Sequence, residues 1–250
     1  MQAVYSSLFW LFLSVSSIAL FFVALLIWCA TAVFDRRRVL LHRFSCFWAS
    51  LYSWLNPVWR VKIFGREKIR SREAYVMIAN HLSTLDILVL YRLFKHFKWV
   101  SKVENFKVPF IGWNMSLNRY IKLQRGSRES AARMLETCRE TLAAGSSVLM
   151  FPEGTRSPDG KLQAFKRGAF ELALTAHKSI LPIVIEGTAA ALPKRGFLLR
   201  GRHYIQVTVL EALPFESFRN LSVEALAERA HALYAERLGE PPLLFTPSGS

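Results

Sequence analysis

The first 34 residues carry no charged side chain, and within them Leu8 to Phe34 is an unbroken uncharged run. As a helix rising ~1.5 Å per residue, that run is about 40 Å long, enough to cross a hydrocarbon core of roughly 30 Å. In such a core a helix is the one open segment that satisfies its own backbone, so the run predicts a helical membrane anchor. Ala30-Thr31-Ala32 has the look of a signal-cleavage site, but no positive residue precedes the run and it is longer than a signal core, which favours a retained anchor. Arg36, Arg37 and Arg38 follow directly, and arginines beside an apolar span favour the cytoplasmic side. The expected location is therefore a membrane, with the following domain on the cytoplasmic face; a bacterial inner membrane fits the compact plan.

Val39 to Trp59 is a second apolar stretch, with Arg43 as its only fixed charge and Phe44, Phe47, Trp48, Tyr52, Trp54 and Trp59 along it. Aromatics of this density suit a membrane interface. A core helix and a hairpin dipping into one leaflet are the alternatives. Asn56-Pro57 should end the helix. The expected organisation is an anchor over residues 1–59, one catalytic domain over 60–240 and a loose tail over 241–250.

Beyond the anchor, short apolar runs alternate with helical patterns. Val61–Gly65, Tyr75–Ala79, Trp99–Val100, Tyr120–Leu123, Val148–Phe151, Ile180–Glu186 and Tyr204–Leu210 read as strands; Thr84–Lys95, Arg128–Ala144, Lys166–His177 and Ser222–Leu238 read as helices. This predicts an α/β fold with a mostly parallel central sheet flanked by helices. In such sheets functional groups gather after the carboxyl ends of the strands. Asn80-His81 follows the strand YVMIA, and Pro152-Glu153-Gly154-Thr155-Arg156 follows VLMF.

The chemistry of those two segments is complementary. Histidine, with an ordinary pKa near 6.5, is the usual base at neutral pH, and it works best when a carboxylate holds one ring nitrogen. Asp86, five residues after His81, can do so if the chain turns at Ser83-Thr84. In the second segment glycine lets backbone amides approach a ligand, and arginine can bind phosphate through two parallel hydrogen bonds. Lys166 and Arg167 add cations close by. Alone, the His81–Asp86 spacing is a weak signal and a Glu–Arg turn is an ordinary surface feature.

Together, NHLSTLD and FPEGTR, about seventy residues apart, resemble the glycerolipid acyltransferase family, and the lysophosphatidate acyltransferases in particular. The resemblance covers roughly residues 61–210. Tyr120 to Arg125 is similar to the block that ends in a phosphate-binding arginine, although it reads IKLQR, with Leu123 and Gln124 before Arg125, where the family usually has a pattern like FIxR. Leu181 to Gly187 resembles the proline-centred fourth block, and Lys102-Val103-Glu104 with Pro109 to Trp113 lies between in family order. The resemblance implies that His81 is the general base and Asp86 its partner. It implies that Arg125, Glu153, Gly154, Thr155 and Arg156 bind the phosphate-bearing acceptor, that Pro182 lines a pocket, and that Lys102 assists near the thioester oxyanion. The implied reaction moves an acyl chain from acyl-CoA or acyl carrier protein to the second glycerol hydroxyl of lysophosphatidic acid, forming phosphatidic acid, without metal or cofactor.

The alternatives are an acyltransferase for another lysolipid, a serine hydrolase using Ser83, and a basic binding protein. No G-x-S-x-G elbow supports the hydrolase. The net charge of +15 is met by an anionic membrane and an anionic substrate, so no nucleic-acid partner is expected. Cys29, Cys46 and Cys138 are unclustered and imply neither a metal site nor a disulfide framework.

Overall fold

The computed structural model describes residues 2–193, 198–199 and 201–240. The expected 241–250 tail lies outside them. The uncharged run becomes α1, Gln2–Thr31, a single 30-residue helix long and apolar enough to cross a membrane. Its Phe9, Phe21 and Ala24 pack against the protein, while Leu8, Leu11, Val15, Phe22 and Leu26 stand exposed along the outer side. A short turn reverses the chain into α2, Val39–Trp54. The turn is built by Asp35, whose two carboxylate oxygens accept from the Val39 and Leu40 amides at 2.7 and 2.8 Å. This satisfies the amides that open α2.

α1 and α2 run antiparallel and are tied by polar groups inside the seam. The Tyr52 hydroxyl lies 3.0 Å from both Ser16 Oγ and Ser17 Oγ, and the Tyr5 hydroxyl donates to Asn56 Oδ1 at 3.1 Å. α2 is a core helix on one side, with Leu41, Cys46, Trp48, Ala49 and Tyr52 buried, and aromatic on the other, with Phe47 and Trp54 exposed. It ends before Asn56-Pro57 as expected, but Trp59 belongs to the next strand and not to the apolar stretch.

The strands are β1 (Trp59–Phe64), β2 (Val76–Ala79), β3 (Phe97–Lys102), β4 (Ile121–Leu123), β5 (Ser147–Met150), β6 (Ile180–Glu186) and β7 (His203–Val209). They form one sheet in the order β1-β7-β6-β2-β5-β3-β4. Every pairing is parallel except β6 with β7, which is antiparallel. The period-two rule divides the residues between the two faces. Tyr75, Met77, Ala79, Leu181, Ile183 and Ile185 pack with α1, α2 and α3 (Leu85–Tyr91); Val76, Ile78, Val148, Ile180 and Val184 pack with α5 (Arg128–Ala143), α6 (Gly168–Thr175) and α8 (Val223–Leu238). α4 (Ile111–Leu117) meets α1, where Phe21 makes edge contacts with Phe110 and Trp113.

Two expected helices are shorter than their patterns. Thr84–Lys95 is helical only over Leu85–Tyr91, because Phe94 turns to φ 52° and Lys95 points its ammonium at the carbonyls of Arg70, Ser71 and Glu73. Lys166–His177 is helical from Gly168 to Thr175, because the Lys166 amide is already committed to the Pro152 carbonyl and His177 turns to φ 50°. In each case tertiary bonds outcompete the local pattern.

One side chain enters the sheet itself. The buried Tyr234 of α8 accepts from the Ile183 amide at 3.0 Å and donates to the Ile78 carbonyl at 2.7 Å, bridging the middle of β6 to the penultimate residue of β2. Replacing Tyr234 by Phe leaves those two backbone groups without that bridge. The expected cost is about 1–3 kcal/mol, seen as a thermal midpoint several degrees lower for the detergent-solubilised Tyr234→Phe variant; an unchanged midpoint would mean that the strands pair without the hydroxyl.

Candidate active site

His81 sits one residue past Asn80 at the carboxyl end of β2, and its backbone is held on both sides. Its amide donates to Glu153 Oε1 at 2.7 Å, and its carbonyl accepts from the Ser157 amide at 2.8 Å. The Asn80 side chain continues the β2–β6 pairing beyond the strand, accepting from the Ile185 amide at 2.7 Å and donating to the Ile185 carbonyl at 2.8 Å. The imidazole lies flat on Phe151, with ring centroids 3.9 Å apart and planes 12° from parallel. Nδ1 meets Asp86 Oδ2 at 2.8 Å. With the carboxylate as acceptor, Nδ1 carries the proton, and Nε2 is left with its lone pair. Nε2 has no hydrogen-bond partner among the described residues.

Asp86 is fully buried in the first turn of α3. Besides the imidazole, its Oδ2 accepts from the Leu82 and Ser83 amides at 2.7 and 2.8 Å, and its Oδ1 accepts from Thr188 Oγ1 at 2.5 Å. A carboxylate out of water needs such partners. The turn at Ser83-Thr84 that the spacing requires is thus made by Asp86 itself. The Ser83 hydroxyl is buried and donates to the Leu192 carbonyl at 2.6 Å. It also accepts from the Leu85 amide at 3.2 Å, so it is a structural tether bonded to backbone and not to the imidazole, which removes the support for a serine hydrolase.

The second segment closes the site from β5. Glu153 is buried, with Oε1 on the His81 amide and Oε2 on Gln163 Nε2 at 3.0 Å. Both oxygens are thus occupied inside the protein. Burial pushes its carboxyl up to about 7; the bonds from the His81 amide and Gln163 pull the other way, and the nearby Asp86 carboxylate adds to the rise. Gly154 turns to φ 71°, and the Lys166 side chain lies across it so closely that a Cβ there would stand 3.0 Å from Lys166 Nζ. The left-handed turn favours glycine, and a side chain there would push the Lys166 ammonium aside. Thr155 and Arg156 are half-buried, and Arg156 Nη1 donates to Thr84 Oγ1 at 2.8 Å, joining the two segments.

β2, β5, β3 and β4 are mutually parallel neighbours, so their carboxyl ends share one edge. Lys102 ends β3, two strands from His81, and the exposed Arg125 follows β4, three strands away. At a strand spacing of roughly 4.8 Å these offsets are about 10 and 14 Å. His81, Asp86, Glu153 and Arg156 are therefore joined by direct bonds or through Thr84, whereas Lys102 and Arg125 line the same edge without a hydrogen bond to that group among the described residues. Pro182 is buried within β6, where its carbonyl accepts from the Leu210 amide. Sequence reasoning missed Thr188, Gln163 and the ring stacking of Phe151. Only Phe151 had a signal, its place at the start of FPEGTR.

A family model for acyltransferases matches residues 60–186, which takes in both segments and the whole of β6. The chain belongs to the acyltransferase family. Among relatives bearing the name 1-acyl-sn-glycerol-3-phosphate acyltransferase, the one from Pseudomonas aeruginosa is 32% identical over 77% of this chain and 76% of its own length. That from Chlamydomonas reinhardtii is 38% identical over 84% of this chain and 62% of its own, and a chloroplastic one from Arabidopsis thaliana is 40% identical over 64% and 45%. The chain thus spans 62% or less of these algal and plant relatives. A solved structure, the 1-acyl-sn-glycerophosphate acyltransferase of Thermotoga maritima, shares the fold with a TM-score of 0.77 over 96% of this chain and 97% of that one, at 22% identity.

Glu153 makes a pH signature. Its folded pKa, about 7, lies above the ordinary carboxylate value, so its contribution to stability is full below that ordinary value and is lost as pH rises through about 7. Glu153→Gln removes this titration. The thermal midpoint of the wild type relative to Glu153→Gln should fall between pH 5 and pH 8; a pH-independent difference would mean that the Glu153 carboxyl does not titrate there.

Proposed function

We propose that this membrane-anchored acyltransferase moves a fatty acyl chain from a thioester donor, acyl-CoA or acyl carrier protein, to the free second glycerol hydroxyl of lysophosphatidic acid, yielding phosphatidic acid. The observation that carries this reading is the imidazole of His81, proton fixed on Nδ1 by Asp86 and Nε2 open at the edge of the sheet, beside a turn rich in cations.

In the proposed reaction the acceptor hydroxyl gives its proton to His81 Nε2 as its oxygen attacks the thioester carbonyl. The imidazolium that forms is stabilised by Asp86. The tetrahedral oxyanion collapses, the C–S bond breaks, and the leaving thiolate takes the proton back from the imidazolium. The thioester is already activated, so no acyl-enzyme is needed. In this reading Arg156, Thr155 and the Gly154 backbone, with Lys166 across the turn, receive the acceptor's phosphate. Arg125 and Lys102, farther along the edge, extend the positive track in this reading. Glu153 acts in this reading by holding the His81 amide rather than by touching substrate.

The placement follows from the anchor. The exposed apolar side of α1 faces lipid, α1 and α2 form the anchor, and the catalytic domain lies on the cytoplasmic face of a membrane, as in a bacterial inner membrane. The cytoplasmic face is supported by Arg36, Arg37 and Arg38 at the end of the span.

Purified protein in detergent should release CoA from a long-chain acyl-CoA only when lysophosphatidic acid is present, with a diacyl phosphate found by mass. His81→Ala should lose at least a thousandfold in rate, the loss expected when the base of such a pair is removed. Release that ignores the acceptor would mark a thioesterase, and a working His81→Ala enzyme would remove the proposed base.

A further inference from the structure

β6 does more than fill the middle of the sheet. Past the Asn80–Ile185 amide pair it reaches Gly187, at φ 83°, where a Cβ would stand 2.1 Å from the Tyr204 carbonyl oxygen. Only glycine allows the chain to turn there against β7. The turn opens α7, Thr188–Ala191, and aims Thr188 back across the end of β2. Thr188 is completely buried, and its hydroxyl donates to Asp86 Oδ1 at 2.5 Å. The same turn is fixed to the start of α3 a second time, through Ser83 Oγ on the Leu192 carbonyl.

The three other donors to Asp86, namely His81 Nδ1 and the amides of Leu82 and Ser83, all converge on Oδ2. Thr188 alone among the described residues serves Oδ1. A carboxylate gripped at one oxygen can still rotate about that point, and the imidazole it orients would rotate with it. We infer that Thr188 is a positioning residue for the His81–Asp86 pair: its hydroxyl fixes the plane of the Asp86 carboxylate and so the direction in which His81 Nε2 points. This inference rests on the proposed role of His81 as base. Thr188 lies two residues beyond the stretch that matches the family model.

The test compares Thr188→Val, which keeps the shape and removes the hydroxyl, with Thr188→Ser, which keeps the hydroxyl. Loss of a hydrogen bond to a buried charged group predicts a fall in kcat of roughly tenfold or more for Thr188→Val. KM for acyl-CoA and for lysophosphatidic acid should stay within about twofold, since substrate contacts are untouched. Thr188→Ser should restore kcat. A second reading uses no turnover: in histidine-labelled protein, the His81 Nδ1 proton should be observed by NMR in the wild type and in Thr188→Ser. In Thr188→Val it should exchange with solvent at least roughly tenfold faster. Full kcat in Thr188→Val with the Nδ1 proton unchanged would overturn the inference, as would a rise in KM at constant kcat, or a Thr188→Ser enzyme as slow as Thr188→Val. A wild type without acyl transfer would sink the proposed function, while the proton exchange would still decide the role of Thr188.

Discussion

A single buried carboxylate organises the catalytic end of this protein. Asp86 accepts four hydrogen bonds, from the imidazole of His81, the amides of Leu82 and Ser83, and the hydroxyl of Thr188. It reaches three parts of the fold at once: the loop after β2, the first turn of α3 and the turn after β6. A charge at that depth is stable only with such partners, and the same partners leave the imidazole one tautomer and one orientation. The local structure around it follows. The β2 loop curls because its amides turn inward to Asp86, and β6 ends in a left-handed glycine because Thr188 has to return to the carboxylate.

The proposed anchor is built into the catalytic domain by polar bonds as well as apolar contacts. Arg37 reaches from the α1–α2 turn to the Gly145 carbonyl at the end of α5, and Lys98 of β3 donates to the carbonyls of Arg37 and Asn118. Burial and the neighbouring arginines lower the Lys98 ammonium to about 7, with Asp35 opposing them. The arginines that follow the apolar run are therefore structural as well as topological, and the sheet edge that carries His81 keeps a fixed relation to the anchor. For the proposed reaction between two amphiphiles, one face would meet lipid while the other end of the sheet handles thioester and phosphate.

Much of this was legible in the residues. The uncharged run, the strand before Asn80-His81 and the strand before Phe151-Pro152-Glu153 each have a strong local cause, in composition or in short apolar runs bounded by turn residues. The pairing of His81 with Asp86 was legible as well, because five residues suffice for a carboxylate to curl back. What stayed hidden depends on long-range pairing. Thr188 lies 102 positions from Asp86 and Tyr234 156 positions from Ile78, and no local pattern reports such contacts. Glu153 shows the opposite error. Its place in the motif suggested a substrate contact, whereas in the fold both oxygens serve His81 and Gln163. The shortened helices at Thr84–Lys95 and Lys166–His177 have the same origin, since Lys95 and the Lys166 amide are recruited by distant carbonyls.

The central claim is that the Asp86 carboxylate orients the His81 base and stabilises its imidazolium, and Asp86→Asn tests it most directly, because an amide with its oxygen at the Oδ2 position keeps the bonds from His81 Nδ1 and from the Leu82 and Ser83 amides but carries no negative charge. The account predicts a folded enzyme whose kcat for acyl transfer from acyl-CoA to lysophosphatidic acid falls roughly a thousandfold to ten-thousandfold, as expected when the base loses its carboxylate partner. An Asp86→Asn enzyme within about tenfold of the wild type would contradict it, and would mean that His81 is not the group that takes the acceptor's proton.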